Sequence, residues 1–458
     1  MKRTAVINVV GLTQSLIGEQ TPKIRDFANR NAVRSVRPAF PAVTCTAQSN
    51  YLTGQEPTHH GIVGNGWYDR EYAEHRFWKQ SNHIVRRPKI WEVLKEEDPS
   101  FTCAKLFWWY NMYASVDYSI TPRPMYPADG KKVFDVYTQP MDLRETIKQD
   151  LGEFPFPFFW GPMAGIKSSE WIARSAEWIE ARHSPTLNLV YLPHLDYNLQ
   201  RLGPNDPAIN EDLKAIDAVV GRLIDYFERR DVQVVLLSEY GITEVNHPVH
   251  LNRVFRQKGW IRIKDELGLE QIDCGASKAF AIADHQVAHI YLNDQSIKEA
   301  VKKTLASVEG VEQVLDTEEK KRHGIDHERA GDLIAVADKD SWFTYYYWED
   351  DAVAPDFARC VDIHRKIGYD PVELFIDPAI KFPKLRIANR LVKKKLGMRM
   401  LLDVIPLDAS LVKGSHGRKP EDRADWPVYI GPAEDSGDSD EIESKAVYGK
   451  LIRCVRNS

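Results

Sequence analysis

The chain has 458 residues, 43% of them hydrophobic and 28% charged, enough to bury one large core or a core with an insert. Its formal net charge of −5 implies no general affinity for nucleic acid. No stretch of about 18 apolar residues suggests a membrane span. The five cysteines, at positions 45, 103, 274, 360 and 454, are scattered and show neither zinc-ligand pairing nor a disulfide framework. The apolar run at residues 5–10 is too short for a secretory signal and lacks a small-residue cleavage site, so the expected compartment is the cytoplasm.

In chain order, residues 4–10, 187–192 and 232–238 are short, apolar and β-branched, and each reads as a buried strand ending in a turn. Residues 22–30, 169–182 and 212–229 carry helical patterns between them. Buried strands separated by helices predict an α/β fold, with a mostly parallel sheet covered on both faces. Ligands in such folds bind beyond the carboxyl ends of the strands, where Asp196 and Glu239 fall.

Residues 41–54 read as a loop entering a helix that starts at Thr44, after an extended run at 33–38. A hydroxyl there sits among the unpaired N–H groups of a helix N-terminus, where anions bind. Thr44 is either a nucleophile toward phosphorus or a simple N-cap. Residues 107–135 and 155–162 are rich in aromatic residues and proline. They pack as loops on the core or form a wall for a flat or apolar leaving group.

Residues 341–412 form a second candidate insert, or cap, headed by Trp342-Phe343-Thr344-Tyr345-Tyr346-Tyr347-Trp348. The expected division is a core at 1–340 with an aromatic insert at about 107–165, the cap at 341–412, and a return to the core at 413–458. Lys393, Lys394 and Lys395, near Arg390 and Arg399, read as a solvated face, with a phosphate or membrane-surface contact as the alternative. Residues 434–444 are acidic and read as a mobile surface loop.

Four segments in order carry a family resemblance. They are Thr44 with Thr53-Gly54, Pro57 and His60-Gly61-Ile62-Val63-Gly64-Asn65; Asp196 through Gly203-Pro204; Ser238-Glu239-Tyr240-Gly241-Ile242; and Gly414-Ser415-His416-Gly417. Together they resemble the nucleotide pyrophosphatase/phosphodiesterases of the alkaline phosphatase superfamily. The resemblance implies an alkaline-phosphatase-like fold with an inserted cap. It also implies a phospho-threonine intermediate and two zinc ions about 4 Å apart that clamp the phosphoryl group.

Residue by residue, Thr44 matches the nucleophile, Asp196 one metal-binding Asp, and His416 the last metal-binding His. Val10 stands where the family has an Asp, Gln200 where it has a His, and Glu239-Tyr240 where it has Asp-His. Ala47 replaces an oxyanion-supporting Asn, with Gln48 beside it as a substitute. The expected metal ligands are therefore Thr44, Asp196, Glu239 and His416, with Gln48 and Tyr240 as oxyanion donors and Gln200 as a substrate contact.

Replacement ligands are offered by His194, two residues before Asp196, by His247 and His250, and by Asp284 and His285, which open a strand-like run to Tyr291. On a straight strand His285 and His289 would lie roughly 13 Å apart and could not share an ion. Asp362 and His364, two apart, would share a strand face. The resemblance implies zinc, one or two ions; the oxygen-rich donor set also suits magnesium or manganese.

The expected function is hydrolysis of a phosphodiester, pyrophosphate or monoester of a small molecule. The alternatives are phosphoryl transfer between metabolites, as in phosphomutase relatives, and a degenerate protein that binds a phosphorylated ligand.

Overall fold

The computed structural model describes residues 1–456 apart from 130, 397, 399 and 436–438, so Arg399 and the centre of the acidic run lie outside the described residues. The strands used below are β1 (Thr4–Val9), β2 (Ala32–Arg37), β3 (Cys103–Leu106), β4 (Tyr118–Pro122), β5 (Val136–Gln139), β6 (Leu187–Leu192), β7 (Gln233–Leu237), β8 (Ala279–Asp284), β9 (Val287–Leu292), β10 (Val311–Leu315), β11 (Leu333–Ala337), β12 (Val428–Gly431) and β13 (Glu441–Glu443). The helices are α1 (Pro22–Asn29), α2 (Thr44–Thr53), α3 (Ile166–His183), α4 (His194–Leu202), α5 (Ile209–Glu228), α6 (Pro383–Lys395) and α7 (Ala446–Arg456).

Among the described residues nine strands make the central sheet, in the order β13-β2-β12-β7-β1-β6-β3-β4-β5. Five neighbouring pairs are parallel; β5 and β12 run against their neighbours. Every residue of β1 and β6 is buried, so these strands read as unbroken apolar runs rather than alternating ones. Helix α3 packs on β6 and α5, and α1 on α5; α7 packs on α2.

Register is what positions the site. Thr4 of β1 lies opposite Leu187 of β6 and Gln233 of β7, so the three carboxyl ends come out side by side. Glu239 and Tyr240 follow β7 directly, and Asp196 lies in the first turn of α4 after β6. Gly241 is required by close approach. A Cβ there would fall 1.8 Å from the Asp425 carbonyl oxygen.

A second sheet, β8-β9-β11-β10, is antiparallel. The stretch from Asp284 to Tyr291 is not one run. Asp284 ends β8, His285 and Gln286 form the two-residue turn, and β9 returns. His285 holds φ +62°, a left-handed conformation that a residue with a side chain rarely adopts.

The aromatic segments divide. Trp342, Tyr345, Tyr346, Tyr347 and Trp348 are at most 1% exposed and pack in the core beside the second sheet, so the head of the expected cap is interior. Residues 118–139 add β4 and β5 to one edge of the central sheet, inside the expected aromatic insert. Part of the acidic run is strand. Residues 441–443 form β13 on the other edge, where Arg37 pairs with Glu441 and Glu443.

Candidate active site

Thr44 is the first residue of α2, and Val43 occupies the N-cap position without a side-chain cap bond, so Thr44 does not serve as the cap. Its hydroxyl lies 3.2 Å from the Tyr240 hydroxyl, which donates to Asp196 Oδ1 at 3.0 Å. Gln200 Nε2 donates to Asp196 Oδ2 at 2.8 Å, and the Tyr369 hydroxyl donates to Gln200 Oε1 at 3.0 Å. Both oxygens of Asp196 thus meet uncharged donors. Burial pushes this carboxyl up to about 7, against the pull of Tyr240 and Gln200.

Glu239 is fully buried. Its Oε1 accepts from Asn8 Nδ2 and Gln48 Nε2, both at 2.6 Å, while Gln48 Oε1 accepts from the Trp109 backbone N–H at 2.8 Å. Burial raises Glu239 to about 8, with Gln48, Asn8 and Thr44 pulling the other way. Gln48 therefore holds Glu239 and ties the start of α2 to the loop after β3.

His416 gives its Nδ1 side to the Ala42 carbonyl at 2.7 Å, and its Nε2 lies 3.9 Å from Asp196 Oδ1 with no hydrogen-bond partner. The Tyr240 ring stacks on it at 3.6 Å, and His285 lies against it at 3.8 Å. His285 in turn stacks on Tyr369 at 3.7 Å and bonds Asp284 Oδ1 at 2.9 Å. Burial holds both imidazoles well below their usual range. Asp284 is raised to about 6 by burial, and its carboxylate accepts from the Asn65 backbone at 2.7 Å and the Asn65 side chain at 3.0 Å.

The remaining candidates lie elsewhere. The strand ends at Leu192 and α4 begins at His194, so the two-residue spacing to Asp196 spans about 200° of helix and not one strand face. His194 turns toward α5, with Nε2 3.1 Å from Asp212 Oδ1. His247 pairs with Ser341 in a short ribbon, and His250 bonds the Thr344 hydroxyl at 2.7 Å. His289 is held between Val63 and Gly331. Asp362 and His364 are in irregular backbone, not on a strand, and line the cleft described next.

These residues do not make the two-zinc donor set that the resemblance implies. Among the described residues no three His, Cys, Asp or Glu side chains converge to hold a metal ion. Val10 offers no donor. Tyr240 and Gln200 bond Asp196, and Asn8 and Gln48 bond Glu239 Oε1, while Glu239 Oε2 and His416 Nε2 have no hydrogen-bond partner. Of the expected set, Thr44 meets Asp196 through the Tyr240 hydroxyl, His416 Nε2 lies 3.9 Å from Asp196, and Glu239 feels the Thr44 hydroxyl. Asn8 and Tyr369 are partners that the motifs did not single out; a lone Asn inside the apolar run 4–10 was the available signal for Asn8.

Thr44, Asn65, Asp196, Tyr240 and His285 line a cleft of about 650 Å³. Its walls include Trp78, Trp109, Tyr113, Phe159 and Trp160, together with Lys79, Arg123 and Lys132. The aromatic segments thus contribute both core and wall: Trp108 is buried, and its neighbour Trp109 faces the cleft.

A mostly parallel sheet with this cleft at its carboxyl ends, floored by a helix-borne threonine, defines an α/β protein of the alkaline-phosphatase-like class. A family model described as Type I phosphodiesterase / nucleotide pyrophosphatase matches residues 4–370, and the chain belongs to that family, a family of hydrolases. It is 27% identical over 249 residues to an uncharacterized pyrophosphatase/phosphodiesterase of Schizosaccharomyces pombe, covering 51% of this chain and 44% of that protein. It is 23% identical over 271 residues to ectonucleotide pyrophosphatase/phosphodiesterase 1 of Saccharomyces cerevisiae, covering 54% and 34%. The chain thus matches less than half the length of either relative.

Among solved structures, an inactive murine ectonucleotide pyrophosphatase/phosphodiesterase 5 in complex with AMP aligns with a TM-score of 0.60 at 14% identity, over 100% of this chain and 95% of that one. Phosphonoacetate hydrolase from Sinorhizobium meliloti, in complex with phosphonoformate, aligns with a TM-score of 0.63 at 13% identity, over 99% and 96%. These two likenesses establish the fold. No helix among the described residues is long and apolar enough to cross a membrane.

Proposed function

We propose that the protein hydrolyses a phosphoryl ester or anhydride of a small organic molecule through attack by Thr44. The observation that carries this is the row Thr44–Tyr240–Asp196 on the floor of the cleft. With Tyr240 donating to Asp196, the Thr44 hydroxyl donates to the Tyr240 oxygen. A proton leaving Thr44 then has a path to a carboxylate. Thr44 Oγ1 bonds phosphorus, the bond from phosphorus to the leaving oxygen breaks, and Asp196 ends with the proton. Water attack on the phospho-threonine, with the proton returned, releases phosphate or a phosphomonoester and restores Thr44. An acid that titrates near neutrality suits both transfers.

Negative charge on the transferred group faces the amino end of α2, whose first N–H groups lack intrahelical partners. Lys79 and Arg123 supply positive charge along the cleft, and the aromatic wall receives the organic part. Where the resemblance puts ions, Asp196 and Glu239 meet uncharged donors, so proton transfer falls to Tyr240 and Asp196.

Thr44→Ala is expected to lower turnover of p-nitrophenyl phosphate esters and diesters about a thousandfold or more. The fold should stay intact by circular dichroism, and acid quenching of the parent protein should leave phosphate on the peptide containing Thr44. Parental turnover by Thr44→Ala would remove the nucleophile assignment. A second reading, a protein that only binds a phosphorylated ligand, is favoured by the two amides that hold Glu239 Oε1. It stands if the parent turns over none of these esters yet binds AMP.

A further inference from the structure

Exposed apolar surface is concentrated in one segment. Of the twenty exposed large apolar side chains among the described residues, nine lie between 376 and 402. That stretch carries eight Lys and Arg against a single acid, Asp377. Its helix, α6, is anchored through one face. Ile387 packs against the core beside the second sheet, and Arg386 and Arg390 pair with Asp403.

The opposite face is turned outward. Leu385, Val392 and Leu396 follow one another at seven- and four-residue spacing and form a single stripe along α6 and its end. They are 69%, 56% and 69% exposed, and Phe382, just before the helix, is 71% exposed. Lys384 and Lys395 flank the stripe on one side and Lys393 on the other. Surface helices of globular proteins normally turn the apolar stripe inward and the lysines outward; here both point out together.

We infer that α6 and its flanks form a docking surface for an anionic lipid bilayer. Lying in the interface, the helix would sink its leucine and valine stripe among the acyl chains while the flanking lysines meet the headgroups. Charge selects this occupant. A second copy of the chain would set one basic strip against another, whereas anionic lipid complements the strip along its whole length. The same 341–412 stretch lines the cleft at 361–364 and 369, so membrane attachment would act on the segment that forms part of the substrate wall.

The test is co-sedimentation of the full chain with vesicles of phosphatidylcholine alone and of equal parts phosphatidylcholine and phosphatidylglycerol. Binding to the mixed vesicles, weakened by salt and absent from phosphatidylcholine alone, is expected. The variants K384A/K393A/K395A and L385S/V392S/L396S should each weaken the partition about tenfold or more. These side chains are exposed, so circular dichroism should be unchanged; if a variant misfolds, the salt dependence of the parent protein decides. No binding to mixed vesicles at low salt overturns the inference, as does equal binding to both vesicle types or parental binding by the lysine variant. A concentration-dependent dimer abolished by L385S/V392S/L396S, without vesicle binding, would assign the surface to a second copy instead.

Discussion

Asp196 and Glu239 follow strands on either side of β1, are both buried, and are treated in opposite ways. Glu239 lies behind the cleft. Two side-chain amides hold one of its oxygens, and it has no part in the cleft's lining. Asp196 is open. It lines the cleft and reaches the threonine through one phenol. Burial raises both carboxyls, so a raised pKa does not by itself distinguish a base from a structural acid. Access to the cleft does: Thr44 acts on both carboxyls, but Asp196 alone of the two lines the cleft and takes the Tyr240 hydroxyl.

The contrast can be broken from its strong side first. Asp196→Asn keeps an oxygen for Tyr240 but cannot take a proton, and is expected to lower kcat about a hundredfold to ten-thousandfold with little change in KM. Steady-state kinetics on a p-nitrophenyl ester reads the split; an unchanged kcat would put Asp196 outside the chemistry. Tyr240→Phe preserves the stacking on His416 and removes only the hydroxyl bridge. A kcat loss of about tenfold to a hundredfold is expected, with about 1 kcal/mol of stability for the lost hydrogen bonds.

The weakest expected effect sharpens the difference. Glu239→Gln should leave kcat within about twofold, because the isosteric amide keeps an acceptor for Asn8 and Gln48. Its signature is in stability. Glu239 and Asp196 sit at about 8 and about 7 in the folded protein, against 4.5 and 3.8 as their ordinary values. The folded state therefore holds more protons than the unfolded chain between those limits. Their contribution is complete below about pH 4 and is lost as pH rises to about 8. Calorimetry across that window should show a smaller fall for Glu239→Gln than for the parent, and an identical fall would mean that Glu239 is ionised throughout.

The legible parts of the molecule were those where one physical cause dominates. Double-sided burial makes β6 an uninterrupted apolar run, and its bounds, Leu187–Leu192, coincide with the sequence reading. The start of α2 at Thr44 was visible as an extended run giving way to a hydroxyl. Other parts were hidden by competing causes. The hairpin of β8 and β9 was not visible because His285 takes a turn conformation that glycine usually marks. The aromatic run 342–348 has the same composition whether it packs inside or walls a cleft, and it packs inside. The amide contacts to Glu239 Oε1 depend on Asn8 and Gln48, which only the fold brings together.

The place of β12 in the central sheet has a consequence for the order of assembly. This strand, Val428–Gly431, lies between β2 and β7 and is hydrogen-bonded to both. The element after β2 carries Thr44, and the turn after β7 carries Tyr240. Until a growing chain has emerged past residue 431, those two strands have no shared neighbour to fix their spacing, and such long-range pairing forms late. A nascent chain holds the hydroxyl and its phenol partner long before that strand is made, yet the working pair exists only once one of the last strands has slotted between them.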